Sequence, residues 1–315
     1  MWTTIPYALL LTFVVVANLG VTRRAWRAVT YFGLAALNVF VLAVGLLIAI
    51  PPLFVPSSEA SRIAFLGWAV LAGAVLGLTF MLLPSRRVVA RFLNIDPSSP
   101  VHMCALVFMG YLMSTTVGVL FASQGLLSGI GIESVDAVAL VAGEAFLALL
   151  ALAGVGLGTR RGVSQTLTRL GLTRPTTRQF GISAVVIIAL LVLDYATSWA
   201  WRLLWPANYE SVAAASQQLF ARFTSVPGAL LLGVSAGVGE ESLFRGALQP
   251  RFRIPLTAAV FALSHVQYSL SPAILEILVV GLVLGWMRER LGTTSCMVVH
   301  AGYNFLDVLI MPLLP

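Results

Sequence analysis

The chain has 315 residues, 59% of them hydrophobic and only 10% charged, with a net charge of +7 and a mean hydropathy of +0.96. A soluble domain carries about 25% charged residues, so this composition excludes a soluble globular protein and points to one that lives in lipid. All 19 basic residues are arginine and they are spread over several loops, which excludes nucleic acid as the partner and leaves the bilayer.

About 20 apolar residues span a bilayer as a helix. Ten segments fit: 4–21, 30–54, 62–84, 101–123, 134–157, 181–204, 226–249, 254–269, 271–289 and 294–313. The predicted fold class is therefore all-α, a polytopic transmembrane bundle of about ten helices. Arg23, Arg24 and Arg27 follow the first segment, and Arg86, Arg87 and Arg91 follow the third. Arg160, Arg161, Arg169, Arg174 and Arg178 follow the fifth, Arg251 and Arg253 the seventh, and Arg288 and Arg290 close the ninth. Apart from Arg62 and Arg222, the alternate loops hold almost none. By the positive-inside rule both termini are then outside. The first segment has arginines after it and none before, as in a reversed signal-anchor. Cys104 and Cys296 fall near predicted cytoplasmic ends, where a structural disulfide is not expected.

Two polar stretches, 85–100 and 158–180, divide the chain. The second separates an N-terminal transmembrane region, 1–160, from a C-terminal core, 180–315. Residues 205–225 are expected outside, as a helix along the interface. Small residues recur four apart at Gly73 and Gly77, Gly154 and Gly158, Gly233 and Gly237, and Gly281 and Gly285. This spacing lets helix backbones approach closely in lipid.

Ionisable groups inside a membrane are costly and point to function. Glu144 and Asp194 stand alone on their segments, and Glu276 and Asp307 read as packing or hydration sites. The seventh, eighth and tenth segments differ. The seventh holds Glu240, Glu241 and Arg245, the eighth ends in His265, and the tenth holds His300 and Asn304. Glu240, His265 and Asn304 each lie ten residues from their predicted cytoplasmic ends, roughly 15 Å deep at the rise of a helix. His300 lies about one turn nearer the cytosol. Three helices thus deliver polar groups to one level. Glu241 and Arg245 are four apart in the favourable order for an ion pair.

A buried glutamate suits a general base, and histidine shares or returns the proton. Histidine and asparagine donors suit a developing oxyanion. No serine or cysteine is placed as an activated nucleophile, so the chemistry reads as hydrolysis by water. The alternative is a metal: Glu240, His265 and His300 make up a hydrolytic zinc set, although no HExxH motif is present.

The stretches "EESLFR", "FALSH" and "HAGYN" resemble the EExxxR, FxxxH and HxxxN motifs of the CPBP intramembrane proteases, the CAAX-protease and bacteriocin-processing (ABI) family. The resemblance runs over roughly 180–313. It implies an intramembrane endopeptidase acting on a membrane-anchored protein or peptide. Glu240 matches the base and His265 the residue that helps position water. His300 and Asn304 match the oxyanion pair. Glu241, Arg245 and Phe261 match the supporting positions. A glutamate mechanism without cofactor is favoured over zinc. The expected location is a bacterial inner (plasma) membrane. The competing readings are a partner-binding relative without proteolysis and a transporter.

Overall fold

The computed structural model describes residues 4–55, 57–122 and 134–310. These residues contain no strand, only an isolated bridge between Leu157 and Arg161. The helices are α1 (Thr4–Leu19), α2 (Arg24–Ala49), α3 (Ser58–Met81), α4 (Leu83–Val89), α5 (Pro100–Ala122) and α6 (Ala137–Val155). They continue with α7 (Val163–Leu170), α8 (Thr177–Leu204), α9 (Pro206–Leu219), α10 (Val226–Glu241), α11 (Gln249–Leu263), α12 (Pro272–Leu291) and α13 (Thr293–Ile310). A π-helical stretch, Ser242–Leu248, joins α10 to α11.

Each of the ten predicted segments is occupied by helix. The ends of two of them, residues 123 and 311–313, lie outside the described residues. Among the described residues, five helices are long and apolar enough to cross a membrane on those grounds alone: α2 with its following turn, α3, α5, α6 and α8. The helices that carry the predicted site are not among the five. Length and composition therefore support a transmembrane protein without establishing ten crossings.

Local signals set the boundaries. Ser57, Asp136 and Ser225 cap α3, α6 and α10 by accepting hydrogen bonds from backbone N–H groups of the first turn. Thr176 and Gln179 form a reciprocal capping box on α8, and the Gln179 amide also donates to Leu291 O at 3.0 Å, tying α8 to the end of α12. Gly156, with φ +96°, ends α6 in the left-handed conformation. Gly158 follows with a left-handed φ of +69°, and a side chain there would meet no packing neighbour within 4 Å. Gly154 and Gly158 are thus not a helix-packing pair: the helix stops between them.

The other three pairs do mark close approaches. Gly73 and Gly77 on α3 meet Tyr111 of α5 and Asn38 of α2. Gly281 and Gly285 on α12 meet Ala258 and Ile254 of α11. Gly233 and Gly237 on α10 meet the backbone of α13, where a Cβ at Gly233 would lie 2.5 Å from Ala301 O and one at Gly237 2.9 Å from Met297 O. Replacing Gly233 by valine should therefore destabilise the protein by about 1–3 kcal/mol through overpacking. A thermal melt in detergent would show it, and an unchanged midpoint would mean that this contact does not set the helix spacing.

The two polar stretches do not hang free. Residues of 158–180 form α7, whose end docks against the start of α13. Thr293 Oγ1 donates to Leu170 O at 2.5 Å and Thr293 N donates to Gly171 O at 3.0 Å. The N-terminal and C-terminal regions also share a core, in which Leu106 and Met109 of α5 pack with Phe244, Phe252, Val260 and Phe261. α6 lies against α10 and the π stretch as well as against α1. Residues 205–225 form α9 and a short 3-10 turn, as expected of a helical segment.

Candidate active site

α10 ends at the two glutamates, and the π stretch begins with the next residue. Glu241 points into the bundle and is fully buried, as is Arg245. Its Oε2 lies 3.2 Å from Arg245 Nε, so the ion pair read from the four-residue spacing is present. Its Oε1 accepts a hydrogen bond from His300 Nδ1 at 2.9 Å. Arg245, Glu241 and His300 therefore form one buried chain across α10, the π stretch and α13. A carboxylate on Nδ1 fixes the tautomer and orientation of an imidazole.

Phe261 of α11 is the hub that holds this chain. The Arg245 guanidinium lies over its ring, 4.7 Å from the centroid. His300 meets it edge-on at 5.9 Å and Phe244 at 5.2 Å, while His265 sits tilted at 4.8 Å. The cation–π contact matters because the guanidinium Nη1 and Nη2 atoms have no hydrogen-bond partner.

Glu240 takes a different environment from its neighbour. It is partly exposed, and its Oε2 stands 4.0 Å from His300 Nε2. Arg245 thus pairs with Glu241, whereas Glu240 faces His300. His265 follows the end of α11, and its Nδ1 lies 2.8 Å from Phe261 O. With Nδ1–H donating there, the neutral ring keeps its lone pair on Nε2. Tyr268 stacks on the same ring at 6.3 Å. Asn304 lies one turn along α13 from His300, half-buried.

Residues 222–306 match the family model described as type II CAAX prenyl endopeptidase, Rce1-like. Over this segment the chain is similar to CAAX-type proteases. The segment encloses Glu240, Glu241, Arg245, Phe261, His265, His300 and Asn304, and it is narrower than the 180–313 of the sequence resemblance, leaving α8 outside. No curated protein and no solved structure matches the chain. The chain thus combines a segment similar to a protease family with, among the described residues, five helices long and apolar enough to cross a membrane.

Three features around the domain were not expected from sequence. The first is the hydrogen bond between Glu241 and His300, which joins two motifs to which the sequence assigns separate tasks. The second is Glu144 on α6, alone on its segment, which lies within electrostatic reach of Glu240 and His300. The third is that Asp194, Glu276 and Asp307 are not isolated. Asp194 is hydrogen-bonded to both other carboxyls, and Glu276 also to Tyr303. The cost of charge in lipid, which argues for gathering the histidines, argues equally for a partner to each of these carboxyls.

Among the described residues, no group of three or more His, Cys, Asp or Glu side chains is arranged to hold a metal ion. At one end of the bundle the arginines of several predicted cytoplasmic loops converge. Arg169 of α7 donates to Gly246 O at 3.0 Å, and Arg288 donates to Arg245 O at 3.3 Å. Burial, followed by the charges of Arg251, Arg161, Arg288 and Arg160, lowers the pKa of Arg169 to about 10. Arg251 and Arg253 both donate to Asn94, in the loop after α4.

Proposed function

We propose that this protein is an intramembrane endopeptidase that cleaves a membrane-anchored protein or peptide by attack of water. The observation that carries this reading is the division of labour between the adjacent glutamates. Glu241 is locked between Arg245 and His300, and Glu240 stands free beside His300. In this mechanism Glu240 takes the proton from water, with His265 Nε2 helping to position it. The hydroxide attacks the scissile carbonyl. His300, as the imidazolium, donates through Nε2 to the oxyanion while Nδ1 stays on Glu241, and the Asn304 amide donates beside it. The proton then passes to the leaving amine, the C–N bond breaks and Glu240 is ready again.

The convergence of arginines at one end supports placing that end in the cytoplasm, with both termini outside and substrate entering from the cytoplasmic leaflet of a bacterial inner membrane. Residues 180–315 form the catalytic core in this reading, supported by the N-terminal region. The mechanism runs on side chains alone and needs no zinc.

Cleavage of a fluorogenic, membrane-anchored peptide by the purified protein in liposomes tests the activity. His300→Ala should lose on the order of 10²–10³ in rate, the scale of one oxyanion donor, with unchanged metal content. Stoichiometric zinc, lost together with activity in His265→Ala, would instead establish the Glu240, His265 and His300 metal set. Peptide capture without turnover would identify a partner-binding relative, and ion flux without cleavage a transporter.

A further inference from the structure

Glu144 lies on α6, outside the 222–306 segment. α6 comes closest to α10 at Gly239, the residue before Glu240. A Cβ on Gly239 would lie 2.8 Å from the Cα of Glu144, and nearer still to its carbonyl oxygen and Oε2. Only glycine lets the backbone of α6 rest there, and the contact sets the Glu144 side chain against the end of α10.

Besides the Arg245–Glu241 pair, two carboxyl oxygens here lack a hydrogen-bond partner. Glu144 Oε2 and Glu240 Oε2 are both buried and both unsatisfied. Buried polar atoms are nearly always paired, and two unpaired carboxyl oxygens on adjoining helices call for a common explanation. The charged groups that act on Glu144 are Glu240 and His300. Neighbouring carboxyls in a mostly enclosed site disfavour each other's ionisation. A proton on Glu144 would let its carboxyl donate to Glu240 and satisfy both oxygens.

Resting on the reading of Glu240 as the base, we propose that Glu144 is a positioning residue for it. The protonated Glu144 carboxyl donates to Glu240 Oε2 and holds that carboxylate in place, leaving its other oxygen to face the water. The path of the reacting proton is unchanged by this partner. The proton that leaves water goes to Glu240 and then to the amine nitrogen as the C–N bond breaks, and Glu144 keeps its own proton throughout.

The test uses the full chain in lipid nanodiscs. Glu144→Gln retains a donor and should turn over within a few-fold of wild type. Glu144→Ala removes it and should lose on the order of 10–10² in kcat at similar KM, as expected when a reacting group is misplaced. An infrared readout needs no substrate: in the wild-type-minus-variant difference spectrum one protonated-carboxyl carbonyl band should be lost in Glu144→Gln and shifted in Glu240→Gln, over the unchanged bands of the Asp194, Glu276 and Asp307 cluster. The proposal is overturned if Glu144→Ala turns over like wild type, if Glu144→Gln is as impaired as Glu144→Ala, or if that band is unchanged in Glu144→Gln. Should the wild type cleave no peptide, the protease reading falls, and the infrared comparison still decides whether the two carboxyls are paired.

Discussion

Glu240→Gln should abolish peptide cleavage, with a loss on the order of 10²–10⁴ or more, the contribution of a positioned general base. The protein should still fold. Glutamine has nearly the same volume, and Glu240 is partly exposed and takes no part in the buried pair of Glu241 with Arg245. The measurement is turnover in liposomes, paired with a thermal melt of the same sample. Wild-type turnover in a normally folded Glu240→Gln protein would remove this residue from the mechanism. The comparison with Glu241 is equally informative, because the two glutamates are adjacent in sequence yet have different partners. Loss of activity without loss of stability at one position, and loss of both at the next, is the pattern expected of this site.

Glu241→Gln should be destabilising by about 3–5 kcal/mol, the cost of leaving a buried charge without its partner. The burden falls on Arg245, which is wholly buried and, among the described residues, has the Glu241 carboxylate at Nε and the Phe261 ring over its guanidinium. Arg245→Met should cost a similar amount, since it strands the carboxylate. The double variant should be milder than either single change, because no charge is then left unpaired. Chemical denaturation of the four proteins in detergent gives the coupling energy directly. Additive effects would mean that the two charges are satisfied elsewhere.

Much of this site was legible in the sequence for a definite reason. Charged and polar side chains are expensive in lipid, so those present at one depth on several helices are there together. The depth comparison places Glu240 within about one turn of His300, and the structure sets the two side chains 4.0 Å apart. The spacing of Glu241 and Arg245 reveals the ion pair because it depends on one helix alone. The Glu241 bond to His300 crosses from one helix to another, and no local pattern encodes it. Gly154 and Gly158 mislead because the four-residue rule assumes a continuous helix, and α6 ends at Val155. The segment 226–249 reads as one uninterrupted span because hydropathy has no view of backbone geometry. The structure divides it into α10 and the π stretch, and α11 beyond it breaks at Arg253, where φ is +62°.

The π stretch itself sets a constraint on chain length. An α-helix turns about 100° per residue, and a π segment carries a surplus residue within the turn. A chain shortened by one residue between Ser242 and Leu248 would close into a more regular helix with better-aligned backbone hydrogen bonds. It would also rotate α11 by about 100°, turning the buried Gln249 and Phe252 away from the packing they now make with Gly285 and the shared core. In this segment the residue count is therefore as binding as the residue identities, and an alignment that closes the gap for the sake of helical regularity would put Glu241 and Gln249 out of phase.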